Sequence, residues 1–244
     1  MHIEISDKRW SLREIRNKVG RRTGYFKRQY LKQYPDIKDV VYIRIPKTGS
    51  TSLVNVLKGQ GLLYLNNEKA INFYFSQKGF VSFGPLSYEH LLNKGVISQS
   101  YHENAHVFTT VRNPFARTVS TFFYYKKIGW LNQNMSFDAY TDYIKRIELN
   151  ELDNFYDSFR GHIFPQYKFL FCNGERFIHH TMRLESINTD IRELESMMNF
   201  NLHLPHLNKS VFEDYRNLYS SQSISDVLSV YEKDFELLGY SKEL

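Results

Sequence analysis

The chain has 244 residues, 42% apolar and 16% aromatic, which is enough to bury a full core in one α/β domain. Thirty-two Lys and Arg against 26 Asp and Glu give a net charge of +6, which favours an anionic ligand but is too small alone to argue for nucleic acid. One cysteine, Cys172, excludes an intrachain disulfide; no apolar run approaches the ~18–20 residues of a membrane span, and no secretory signal is seen, so a soluble, cytoplasmic protein is expected.

Residues 1–35 form a basic arm or helix, where Lys8, Arg9, Arg13, Arg16, Lys18, Arg21, Arg22, Lys27, Arg28 and Lys32 cluster; residues 36–244 read as a single domain. Val40–Ile45 is β-branched and aromatic and predicts a buried strand. Pro46–Ser52 (PKTGSTS) breaks it, and a helix begins at Ser52, with Leu53 and Leu57 four apart. Phe80–Gly84 is a second strand and Ser87–Asn93 a helical turn. Ala105–Val111 is a third strand, stopped by Arg112-Asn113-Pro114, and Pro114 suits the first position of the next helix. Helical spacing returns at Phe137–Leu149; Arg176–Leu184 predicts a strand, Ile187–Met198 a helix and Ser223–Leu238 a C-terminal helix. Strands alternating with helices imply an α/β fold with a mostly parallel central sheet flanked by helices.

The loop at 46–52 carries one lysine, one glycine and four hydroxyls between a strand and a helix start. Backbone N–H groups at a helix N-terminus, with the positive end of the helix dipole, hold phosphate or sulfate, and Lys47 adds a mobile charge. The lysine precedes the glycine, so the loop departs from the triphosphate pattern G-x-x-x-x-G-K-[ST], and no apolar strand ends in an aspartate placed for magnesium. Arg112 stands at the next strand's exit, with Ser120 eight residues later inside the following helix. A guanidinium and a hydroxyl there can grip a second anion. Two anion pockets in one crevice call for a ligand with two separated anionic groups.

This combination resembles the sulfotransferases. IPKTGSTS is similar to their loop for the 5′-phosphosulfate of 3′-phosphoadenosine-5′-phosphosulfate (PAPS), and VRNPFARTVS to their 3′-phosphate motif. The pattern is nearest the carbohydrate sulfotransferases, including the chondroitin 4-O and heparan 2-O enzymes and bacterial relatives. GHIFPQYKFL, MRLESINTDIREL, LPHLNKS and YEKDFELLGY each resemble further family segments, so the likeness runs from about Asp39 to Tyr240. It implies a P-loop-like sulfotransferase fold, no metal, and a hydroxyl-bearing carbohydrate acceptor. It assigns Lys47, Thr48, Gly49, Ser50, Thr51 and Ser52 to the phosphosulfate, with Lys47 also stabilising the leaving group. Arg112 and Ser120 go to the 3′-phosphate, and Asn208, Lys209 and Ser210 close over the nucleotide.

The general base stays open. Where the heparan 2-O enzymes carry a histidine after a glycine, this chain has Pro85, which leaves His162, His90 and Glu89 as candidates. Among the rings following the 3′-phosphate motif, Trp130 and Tyr125 are candidate acceptor contacts; His102 and His106 flank a strand start and are expected to serve the fold, while His179 and His180, in a strand pattern where at most one can face inward, are assigned no role. Two competing readings are a metal-dependent small-molecule kinase and a basic glycan-binding module led by residues 8–32.

Overall fold

The computed structural model describes residues 40–59, 63–64, 80–83, 92, 102–103, 105–147, 158–172, 174–198 and 215–244. Seven strands are described: β1 (Val40–Ile43), β2 (Leu63–Tyr64), β3 (Phe80–Phe83), β4 (His106–Val111), β5 (Phe171–Cys172), β6 (Glu175–Arg176) and β7 (His180–Arg183). Five of them form one sheet in the order β2-β3-β1-β4-β7, every neighbouring pair parallel. β1 lies at its centre, with Val40 opposite Phe80 on one side and His106 on the other. The chain moves to one side of β1 through β2 and β3, then crosses to β4 on the other. The β1 and β4 exits are therefore adjacent at the carboxyl edge, where such sheets bind ligands.

The seven described helices are α1 (Ser50–Gly59), α2 (Pro114–Lys127), α3 (Phe137–Arg146), α4 (Ser158–Ile163), α5 (Ile187–Met198), α6 (Ser221–Val230) and α7 (Glu232–Leu238). A parallel sheet buried on both faces needs strands that are apolar throughout, and all four residues of β1 are buried. Val41 and Ile43 face a core shared with Phe115, Val119 and Phe122 of α2, Tyr140 of α3 and Phe235 of α7. Val40 and Tyr42 face the opposite core, built from Leu53, Val54 and Leu57 of α1 and Ile187, Ile191 and Leu194 of α5. Each such side chain contributes about 1.5–3 kcal/mol by leaving water. Among the described residues no helix is long and apolar enough to cross a membrane.

Three elements differ from the expectations. The first helix starts at Ser50, because the N–H groups of Ser52 and Leu53 both donate to the Gly49 carbonyl. The strand expected at Arg176–Leu184 is two strands. Its first part pairs antiparallel with β5 as β6, and its second joins β4 as β7 after His179 N–H reaches Val107 O at 2.8 Å. The C-terminal helix is likewise two, α6 and α7, broken at Tyr231 (φ −116°, ψ 23°), whose hydroxyl donates to Ile163 O at 2.8 Å. The apolar spacing stays in register across that break, so periodicity alone reads one helix. The basic arm at 1–35 and the turn expected at Ser87–Asn93, apart from Leu92, lie outside the described residues.

Candidate active site

The β1 exit is a tight turn. Lys47 (φ 68°) and Gly49 (φ 78°) both adopt left-handed backbone around Thr48, swinging the chain directly into α1. For a residue with a side chain this costs about 1–2 kcal/mol, so Lys47 is held there by its surroundings. Two arginines supply the hold: Arg117 Nε donates to Pro46 O at 3.1 Å, and Arg112 Nη1 to Lys47 O at 3.4 Å. Hydroxyls tie the turn to the sheet. The Thr48 hydroxyl donates to Ile45 O at 2.9 Å and lies 3.0 Å from Thr110 Oγ1, which is 2.7 Å from the Tyr42 hydroxyl. Each hydroxyl has one proton, so donation runs from Tyr42 through Thr110 and Thr48 to the Ile45 carbonyl. The N–H groups of Ser50 and Thr51 precede the first donors to Gly49 O, those of Ser52 and Leu53, and stand at the positive end of the α1 dipole.

The β4 exit is braced from segments far away in sequence. Asn113 caps α2, its side chain accepting from the N–H groups of Phe115 and Ala116, and Pro114 fills the first helical position. Gln166 grips the Arg112 backbone on both sides: Arg112 N–H donates to Oε1 at 2.9 Å and Nε2 donates to Arg112 O at 2.8 Å. Gln166 is in turn oriented by the buried Asp234, which accepts from the N–H groups of Gln166 and Tyr167, both at 2.8 Å. Glu185 accepts from Asn113 N–H at 2.7 Å and from the Tyr240 hydroxyl at 3.1 Å. The segments around Gln166, Glu185 and Asp234 thus form the back of the turn that presents Arg112.

Positive charge converges on this edge. Burial, then Arg112, Lys127 and Arg117, push the Lys47 ammonium down to about 8. Burial also lowers Arg112, opposed chiefly by Glu185. A lysine disfavoured in its charged form by three nearby cations gains from a bound anion, which offsets both the repulsion and the lost hydration. Lys47 Nζ lies 4.1 Å from the ring centroid of Tyr124, a cation–π contact. Ser120, Tyr124 and Lys127 fall on one stripe of α2, between residues that pack into the core. His162 of α4 stacks on Tyr124, centroids 5.1 Å apart and planes 22° apart.

The structure therefore brings Lys47, Gly49, Ser50, Arg112, Ser120 and His162 to one edge of the sheet. Ser50 is buried at the start of α1, Thr51 is exposed, and Ser52 and Ser120 are partly buried. The Thr48 hydroxyl is engaged within the turn. His90, Glu89, Asn208, Lys209 and Ser210 lie outside the described residues. Tyr125 does not suit an acceptor contact: it is wholly buried, with its hydroxyl donating to Phe159 O. Trp130 is 41% exposed. His179 Nδ1 accepts from Val107 N–H at 3.0 Å, and His180 Nε2 lies 3.2 Å from Asp190 O, so both serve the fold.

Three residues that sequence reasoning assigned no role matter here. Tyr124 supplies the ring beneath Lys47. Gln166 fixes the Arg112 backbone. Arg117 is 2% exposed and also donates through Nη2 to the carbonyls of His162 and Phe164, both at 2.9 Å, joining the β1 exit to α4.

The model of the Sulfotransferase family matches residues 34–241, taking in both turns and the segments that brace them. Among solved structures, a sulfotransferase from Alicyclobacillus acidocaldarius is similar at 16% identity and a TM-score of 0.37, covering 91% of this chain and 93% of that one. No curated protein matches. The family match spans most of the chain, and the chain belongs to the sulfotransferase family.

Proposed function

We propose that the chain transfers a sulfuryl group from PAPS to a hydroxyl of a carbohydrate acceptor. The observation that carries this reading is the pair of cations at adjacent strand exits, Lys47 and Arg112, linked through the Lys47 carbonyl and each facing a turn able to hold an anion. Their separation into two turns suits a donor with anionic groups at both its 5′ and 3′ ends.

In this reading the N-terminal N–H groups of α1, with Ser50, Thr51 and Ser52, hold the 5′-phosphosulfate. Arg112 and Ser120 hold the 3′-phosphate, and Asn208, Lys209 and Ser210 belong to the nucleotide's cover. The acceptor oxygen attacks sulfur in line, the bond from sulfur to the bridging oxygen breaks, and adenosine 3′,5′-bisphosphate leaves. Lys47 neutralises the charge growing on that oxygen as the bond lengthens. The acceptor proton goes to a base, a role this reading gives to His162, which stacks on the ring beneath Lys47. Base removal typically lowers rate by about 10²–10⁴-fold.

Calorimetric titration separates this reading from a kinase. Adenosine 3′,5′-bisphosphate binding without magnesium is the expected result; tight binding of magnesium ATP with no bisphosphate binding would sink the proposal.

A further inference from the structure

The ring beneath Lys47 is the inner end of a continuous run of aromatic side chains. From Tyr124 the run passes to His162, stacked at 5.1 Å, and to Trp130, edge-on at 6.5 Å. Trp130 meets His162 at 6.0 Å and Phe159 at 6.1 Å, and Tyr143 meets the same Phe159 at 6.0 Å. Its outer members are open to solvent, Trp130 at 41% and Tyr143 at 43% exposed. Neither is a loosely hung ring. The turn carrying Trp130 is stapled by Trp130 N–H to Tyr125 O at 2.9 Å and by a reciprocal pair between Lys126 and Gln133, both bonds 2.7 Å. Tyr143 sits on α3 between the buried Tyr140 and Ile144.

We propose that Trp130 and Tyr143 are the specificity-determining platforms for the acceptor, each stacking one sugar ring of an oligosaccharide whose reacting residue lies over Tyr124 and His162. The inference rests on the proposed transfer at Lys47 and adds where the acceptor lies. The chemistry is complementary: an aromatic face is electron-rich, a pyranose presents a face of weakly positive C–H groups, and its hydroxyls at the rim stay in water. Rigid rings also lose little conformational entropy when they bind. The two open platforms are separated by the intervening Phe159, so one small alcohol cannot cover both, whereas successive units of an extended chain can. The track ends at the lysine proposed to stabilise the leaving group, where a reacting hydroxyl must arrive.

Trp130 is one of only two tryptophans, so Trp10→Phe leaves it as the sole indole reporter. With adenosine 3′,5′-bisphosphate bound, as verified by calorimetry on the same preparation, this variant is titrated with tetrasaccharides of chitin, heparosan and chondroitin, and with 4-nitrophenol. At least one tetrasaccharide is expected to shift or quench the Trp130 emission, and Tyr143→Ala to weaken that binding roughly tenfold, the loss typical of one truncated aromatic anchor. In transfer assays with the same saccharide, Trp130→Ala raises the acceptor KM by a similar factor, leaves the donor KM unchanged, and is largely rescued by Trp130→Phe. No response to any tetrasaccharide while the bisphosphate is bound overturns the proposal, as does a response to 4-nitrophenol alone. Failure of the bisphosphate itself to bind refutes the proposed reaction instead.

Discussion

Replacing Lys47 with methionine separates what this side chain does for the reaction from what it costs the fold. Methionine keeps an unbranched stem over Tyr124 but removes the charge that burial, Arg112, Lys127 and Arg117 disfavour. An ordinary lysine titrates at 10.5 and Lys47 at about 8, so the folded state disfavours its protonated form. The resulting penalty is full below pH 8 and disappears as the pH rises towards 10.5. At face value the shift is worth about 3 kcal/mol. Because Lys47 is only partly buried, screening reduces that to about 1–2 kcal/mol. The lost cation–π contact returns about 0.5–1 kcal/mol of it. The unliganded variant should therefore be more stable than the wild type at pH 7 by about 0.5–1 kcal/mol, or roughly 2 °C in Tm. At pH 10.5, where half of the wild-type penalty-bearing charge is gone even in the unfolded chain, the advantage should vanish. Thermal unfolding with adenosine 3′,5′-bisphosphate should reverse the order at pH 7, since only the wild type retains the ammonium that meets the anion. A variant less stable than the wild type at pH 7 without ligand, or bisphosphate stabilising both equally, would refute this account of Lys47.

The other predictions address the supports and the base. Gly49→Ala forces a side chain onto left-handed backbone and puts its Cβ 2.6 Å from Leu184 Cδ1; it should cost about 1–2 kcal/mol, read by thermal unfolding, and weaken bisphosphate binding. Arg117→Met leaves the carbonyls of Pro46, His162 and Phe164 without their buried donor and should destabilise by about 3–5 kcal/mol in denaturant unfolding. His162→Ala should lower kcat by about 10²–10⁴-fold while bisphosphate affinity measured by calorimetry stays unchanged.

The turns at the β1 and β4 exits were legible because their signals are local. A β-branched strand, a break rich in hydroxyls and a helix start adjoin in sequence, and the Asn113-Pro114 pair marks the start of α2 at the residue where it begins. α5 has its expected bounds for the same reason, since apolar positions at helical spacing carry it alone. The supports were not legible. Arg117 binds carbonyls 45 to 71 residues away in the chain, and Gln166 acts on Arg112 across 54. No local pattern distinguishes such an arginine from a surface one. Tyr124 and Tyr125 are neighbours of the same chemistry, yet the 100° turn of a helix sends one beneath Lys47 and buries the other in the core. The break at Tyr231 escaped notice because the apolar register continues through it.

The central claim is that Lys47 and Arg112 hold two separate anionic groups of one donor. Calorimetry with adenosine 3′,5′-bisphosphate and adenosine 5′-phosphate, on the wild type and on Arg112→Ala, tests it most directly. The wild type should lose roughly 10–100-fold in affinity when the ligand lacks its 3′-phosphate, the scale of hydrogen bonds to a charged group. Arg112→Ala should bind the two nucleotides nearly equally. A 3′-phosphate preference that persists undiminished in Arg112→Ala would contradict the account.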